Sequence, residues 1–265
     1  MSKLVREVLS ALNGVLPKSV TFNNYGRKWR IPNIPKSMER LMRPGREALT
    51  GDWVKKFVPT CDIVIDIGAN VGQSLLLYKS LYPDAKYIGL EPNPICSSVV
   101  CRLIAINDLK DCRVFTAGIG PSLSIAELLV NNRRPDDPSA TLVPDCHPGA
   151  ASRLALPVIT LPLQELIPDL ELSSRSVIKI DVEGYEADVL DSLGDLADQR
   201  PVIVSEVLTE WRGNASARGV SIRRLQSWLE KNRYAIVAVG QGVVDRIVDE
   251  CETYLFVPSE HDGLH

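Results

Sequence analysis

The sequence has 265 residues, 45% of them hydrophobic, and a formal net charge of -3. That suffices for one α/β domain with an extension, and no stretch is apolar for long enough to span a bilayer. Residues 1–50 hold ten Lys and Arg against three acids, a local +7 that leaves -10 for the rest, and so acidic a body disfavours a nucleic-acid partner.

The basic start reads either as an arm neutralised by the acidic body or as a patch for an anionic acceptor or a membrane surface. The six cysteines, Cys61, Cys96, Cys101, Cys112, Cys146 and Cys251, show no C-x-x-C pairing and read as small buried thiols of a reducing compartment. Residues 1–16 carry apolar side chains at helical spacing, interrupted by Lys3, Arg6 and Glu7. No continuous apolar core or cleavage site marks a signal peptide, so the chain is expected to be cytoplasmic. The helix expected there would pack on the main domain, on a second subunit or at a membrane interface.

Thr21 to Ile34 reads as a hairpin turning near Asn24 to Gly26, and Glu39 to Phe57 as a helical region broken at Pro44-Gly45. The extension is expected to cover residues 1–58 and the main domain 59–260. The main domain opens with Cys61-Asp62-Ile63-Val64-Ile65-Asp66-Ile67-Gly68-Ala69-Asn70-Val71-Gly72. This is a β-branched run ending in small residues: a strand buried on both faces, then a tight turn into a helix over Gln73 to Leu81. Tyr87 to Leu90 is the second strand, ended by Glu91. Pro94 opens the next helix, and Arg113 to Ala117 is the third strand, followed by Gly118.

Residues 122–157 read as an irregular insertion of the kind that selects substrate, with a short strand at Ser139 to Val143. Val158 to Leu161, Ser176 to Val182 and Pro201 to Val207 read as strands. Ile222 to Lys231 reads as a helix. Tyr234 to Val239 and Thr253 to Val257 form an antiparallel finish. The order of elements predicts a doubly wound Rossmann-like sheet.

The glycine spacing separates two cofactor classes. A dinucleotide site wants G-x-G-x-x-G, so that a pyrophosphate can rest on the helix N-terminus. Here Gly68 and Gly72 are spaced G-x-x-x-G, with Asp66 just before them. A carboxylate there is wrong for a pyrophosphate and right for an ammonium, which points to S-adenosylmethionine. Glu91, at the end of the second strand, can accept both ribose hydroxyls. The bland alternative makes Asp66 and Glu91 turn caps. Lys179, Asp181 and Glu183 alternate along and beyond the fourth strand and should share its carboxyl end. Lys179 needs an anionic partner, which Asp181 or Glu206 could supply. These four form either a structural ion-pair network or a base for an acceptor hydroxyl. His147 reads as a surface-loop residue, His261 and His265 as tail residues, and Asp136-Asp137 as a solvated loop pair and not a metal site.

Asp66 to Gly72, Glu91-Pro92-Asn93-Pro94 and Lys179-Ile180-Asp181-Val182-Glu183-Gly184-Tyr185-Glu186 resemble the FkbM family of S-adenosylmethionine-dependent methyltransferases. The likeness covers about residues 60–210, and Glu206 matches the acid that often ends the following strand. It implies a class I methyltransferase fold with an antiparallel last strand, and O-methylation, often of a sugar or natural-product hydroxyl. Asp66, Gly68, Asn70, Gly72, Glu91, Asn93 and Gly118 are then the expected cofactor contacts, and Asp181, Glu183, Lys179 and Glu206 the expected catalytic group. The family often has Leu-Asp where this chain has Leu161-Pro162. The basic, hairpin-containing start is similar to members associated with surface-polysaccharide synthesis. A glycan or small-molecule hydroxyl is the expected acceptor. Peripheral membrane contact through the basic arm and a homodimer are further expectations. An NAD-dependent sugar oxidoreductase and a non-catalytic scaffold are the alternatives.

Overall fold

The computed structural model describes residues 19–42, 47–134, 136–144, 153–208, 215–248 and 251–264. The helix expected over residues 1–16, together with Cys146, His147 and His265, lies outside them. At the centre is an eight-stranded sheet in the order β12-β11-β13-β10-β9-β3-β4-β5. Its strands are β3 (Ile63–Ile67), β4 (Lys86–Leu90), β5 (Cys112–Phe115), β9 (Ser176–Ile180), β10 (Val202–Glu206), β11 (Tyr234–Ala238), β12 (Gly242–Val244) and β13 (Thr253–Pro258). Strands β5, β4, β3, β9 and β10 run parallel, and β13 enters antiparallel between β10 and β11.

Strand order reverses between β3 and β9, because the chain leaves β3 toward β4 and β5 and returns on the other side through β9 and β10. Ligands of such sheets bind outside the carboxyl ends at that switch. The β-branched runs fit burial on both faces. Ile65, Ile67, Ile178, Ile180 and Ile203 pack into one core layer. Val64, Val177, Val202 and Val204 pack into the other, under α3 (Gln73–Leu81) and α2 (Glu47–Phe57). No helix among the described residues is long and apolar enough to cross a membrane.

The expected hairpin is β1 (Ser19–Asn24) and β2 (Arg27–Pro32), followed by α1 (Pro35–Met42). Trp29 and Ile31 enter the same core layer as α3. Asn107, which caps α4 (Pro94–Ile106), exchanges two 2.8 Å hydrogen bonds with the backbone of Arg30. Arg27 donates to the Lys79 carbonyl, and Arg30 pairs with Asp108. Part of the basic arm is therefore turned inward onto the main domain.

The insertion departs from the irregular reading. β7 (Ser124–Asn131) and β8 (Arg153–Leu161) pair antiparallel over their whole length, and the short β6 (Gly118–Ile119) joins β8 in a three-stranded sheet. Ile125 and Ile159, cross-strand partners, are both exposed, so this ribbon lacks the polar outer face that normally marks a half-buried strand. Pro157 within β8 weakens the strand signal further. The strand expected at Ser139 to Val143 reduces to one bridge between Thr141 and Leu129.

Candidate active site

Asp66 and Lys179 are opposite each other in the β3–β9 register, on the face covered by α2 and α3. Lys179 Nζ lies 3.2 Å from Asp66, 3.1 Å from Asp181 and 2.8 Å from the Gly68 carbonyl. Burial pulls its pKa down, but Asp181 and Asp66 more than offset this, and the ammonium is held above its ordinary range. Among the described residues the ion pairs of Lys179 are with Asp181, one of the two expected partners, and with Asp66. The second Asp66 oxygen accepts from the Tyr87 hydroxyl. Burial first, then Asp66, raises that phenol well above its ordinary pKa. Gly89, opposite Asp66 on β4, leaves the room that the Tyr87 ring fills. Tyr87 was missed in the sequence, although a Gly facing a buried acid was a signal for it.

Asp66 is fully buried and borders neither of the two cavities at the strand tips: its parity along β3 turns it under α3, where it anchors Lys179. Gly68 has φ +84, and a Cβ there would lie 1.9 Å from the Asp181 carbonyl, so its small size lets two strand ends meet. Gly72, at φ +97, packs against Leu103 and also lines no cavity.

Two cavities meet at Asp181. The first, about 590 Å³ counting its open mouth, lies on the β6–β8 side. Polar groups gather in it: Asn70, Glu91, Asp137, Asp181 and Glu183. Its walls are apolar, with Ile67, Leu90, Ala117, Ile119, Leu128 and Leu142, and Gly118 lies between them. Glu91 is buried, and its two oxygens accept from the N–H groups of Asn70 (2.7 Å) and Asn93 (2.8 Å). Burial raises its pKa to about 7, against the pull of those two bonds. Asn93 serves as the cap of α4, its side chain accepting from the Ile95 N–H, and stands behind the cavity wall. Asn70 (φ 45) and Glu183 (φ 53) are non-glycine residues in the left-handed region. Strain of this kind costs about 1–3 kcal/mol and gathers where a loop is shaped for a ligand.

The second cavity, about 780 Å³ on the same measure, is lined by Thr50, Ser74, Tyr78, Lys179, Asp181, Glu206 and Thr253 among others. Glu206 therefore shares a chamber with Lys179 and Asp181, while Glu183 faces the first cavity. Asp136 and Asp137 are buried rather than solvated: Asp137 accepts from the Asn131 and Ser139 N–H groups, and Asp136 accepts from Ser37. His261 is no loose tail residue, since its ring packs edge-on against Phe57 and its Nδ1 accepts from Gly263.

The first cavity fits an adenosyl amino acid. It has apolar walls for a base and a buried carboxylate whose remaining lone pairs can take a ribose diol. A family model described as a methyltransferase FkbM domain matches residues 66–236. Methyltransferase sdnD of Sordaria araneosa is 29% identical over 164 residues, covering 52% of this chain and 62% of that protein. Methyltransferase 1 of Beauveria bassiana (strain ARSEF 2860) is 26% identical over 157 residues, with coverages of 52% and 60%. The chain thus spans about six-tenths of the length of these curated relatives. The M. jannaschii TYW2 structure in complex with AdoMet aligns with a TM-score of 0.43 at 14% identity, over 91% of this chain and 86% of that one. Family membership favours the adenosyl donor over the dinucleotide, and S-adenosylmethionine is the cofactor. With its parallel sheet, antiparallel last strand and motif-bearing strand ends, the chain belongs to the FkbM family of methyltransferases.

Proposed function

We propose that the protein is an O-methyltransferase acting on a hydroxyl of a sugar, a polysaccharide precursor or a similar polyol natural product. The observation that carries this reading is Asp181, whose carboxylate borders both cavities and is held at 3.1 Å by Lys179. The second chamber offers hydroxyls from Thr50, Ser74, Tyr78 and Thr253 beside two acids and a lysine. Such a lining suits a polyhydroxylated acceptor better than an apolar one. On this reading the acceptor occupies the α2 and α3 side of β9 and β10, away from the insertion at 122–157.

When bound, S-adenosylmethionine supplies an electrophilic methyl group. Glu91 accepts from the ribose hydroxyls. Asp181 accepts the proton of the acceptor hydroxyl, and Lys179, 3.1 Å away, fixes the direction of that carboxylate. Glu183, in its strained turn, borders the approach from the cofactor side, and Glu206 receives a further hydroxyl of the acceptor.

The test is mass spectrometry of an extract incubated with the enzyme and a deuteriomethyl-labelled donor. The expected product carries the label in an ether that survives mild alkali; a labelled ester, amine or carbon would contradict O-methylation of a hydroxyl. Asp181→Asn should keep S-adenosylhomocysteine binding and lose turnover by about 10²- to 10⁴-fold. Unchanged turnover would remove Asp181 as the base. Glu183→Gln separates the two acids in the same assay, with a smaller loss expected.

A further inference from the structure

Arg40, on α1 of the extension, reaches the turn that follows β3. One terminal nitrogen donates to the Asn70 side-chain oxygen (3.0 Å) and to the Asp136 backbone carbonyl (2.9 Å); the other donates to the Gln73 side-chain oxygen (3.4 Å). All three acceptors are neutral. The Asp136 carboxylate is engaged elsewhere, with Ser37 and with Arg134 at 3.7 Å. Among the described residues no carboxylate lies within ion-pair distance of the Arg40 guanidinium. Burial, the largest influence on it, pulls its pKa below the ordinary value, with Cys96, Arg134, Asp136 and Asp181 the charged or titratable neighbours.

A half-buried cation held only by neutral groups lacks a counter-ion, and such a charge is costly unless one arrives. Asn70 lines the first cavity, and Gln73 opens α3. The guanidinium thus stands directly behind the cavity wall, one hydrogen bond from the lining residue Asn70 and beside the first turn of a helix. The donor's amino-acid end carries an ammonium and a carboxylate. Glu183, in the cavity wall on the cofactor side, suits the ammonium. Resting on the cofactor site described above, we propose that Arg40 binds the α-carboxylate of S-adenosylmethionine, so that the N-terminal unit supplies part of the cofactor site. A guanidinium matches a carboxylate in a planar, two-bond geometry that a lysine cannot reproduce.

Calorimetry with two ligands tests this. S-adenosylhomocysteine has the amino-acid end, and 5′-methylthioadenosine is the same thionucleoside without it. Arg40→Ala should weaken S-adenosylhomocysteine binding by about 10- to 100-fold, leave 5′-methylthioadenosine binding unchanged, and so report an intact ribose site. Arg40→Lys should recover part of the loss. S-adenosylhomocysteine affinity within twofold of wild type in Arg40→Ala would overturn the assignment, and so would an equal loss for both ligands. Wild-type protein that binds neither ligand would overturn the cofactor site itself, a result distinct from a failure of Arg40 alone.

Discussion

Single buried charges set the behaviour of the strand tips. Lys179 neutralises Asp66, which has no solvent to turn to. Lys179→Met leaves that acid unpaired, and denaturant unfolding should show a loss of about 3–5 kcal/mol. Adding Asp66→Asn should restore part of it, because the stranded charge is gone. Glu91 and Glu186 supply a pH dependence of the opposite kind. Burial raises them to about 7 and about 8, and each keeps backbone N–H donors. The folded apoprotein thus holds protons that the unfolded chain releases near its ordinary carboxylate range of about 4.3. Their stabilising contribution is complete below that range and fades as pH rises through 7 and 8. The urea midpoint should fall between pH 5 and pH 8, and Glu186→Gln should flatten the upper part of that fall. An unchanged slope in the variant would contradict the assignment. The alternation of Lys179 with Asp181 was legible in the sequence, since it follows from strand parity. The burial of Asp66 was not, because whether a strand-end acid faces a ligand or a helix depends on what the sheet's neighbours cover.

Among the elements, the turn between β3 and α3 tolerates least. A methyl at Gly68 would meet the Asp181 backbone, which cannot move aside, whereas one at Gly72 would meet the end of the Leu103 side chain at 2.7 Å. Thermal unfolding should therefore show Gly68→Ala much the more damaging, with Gly72→Ala limited to the strain of its positive φ and a shifted leucine. Equal losses would mean that strand contact is not what demands Gly68. The hairpin is the other exposed dependency. Trp29 is 1% exposed against the main core, and Trp29→Ala should cost about 3–5 kcal/mol in one cooperative transition, not a separate melting of the extension. The core strands were legible because their β-branched runs are buried on both faces. Of the ribbon, only Val158 to Leu161, the end of β8, was read as a strand; β7 and the start of β8 were not, because Ile125 and Leu154 face outward and erase the alternation on which a strand is recognised.

At the scale of the whole molecule, the acids converge because five parallel strands end on one edge, and the reversal between β3 and β9 opens that edge. The motifs at the ends of β3, β4, β9 and β10 were readable one by one, and the topology makes them neighbours. The extension's part was hidden: Arg40 and Asn70 are thirty positions apart, and their hydrogen bond joins a charge to a neutral amide, which no charge pattern announces. The basic start read either as an arm neutralised by the acidic body or as a surface for something outside, and Arg27, Arg30 and Arg40 all bond to the main domain. The central claim concerns the first cavity, where a nucleoside would lie against Glu91. A crystal structure with S-adenosylhomocysteine examines it most directly. Both ribose hydroxyls should lie within hydrogen-bonding distance of the Glu91 carboxylate; a ligand seated in the second cavity, or away from the β4 tip, would contradict the account.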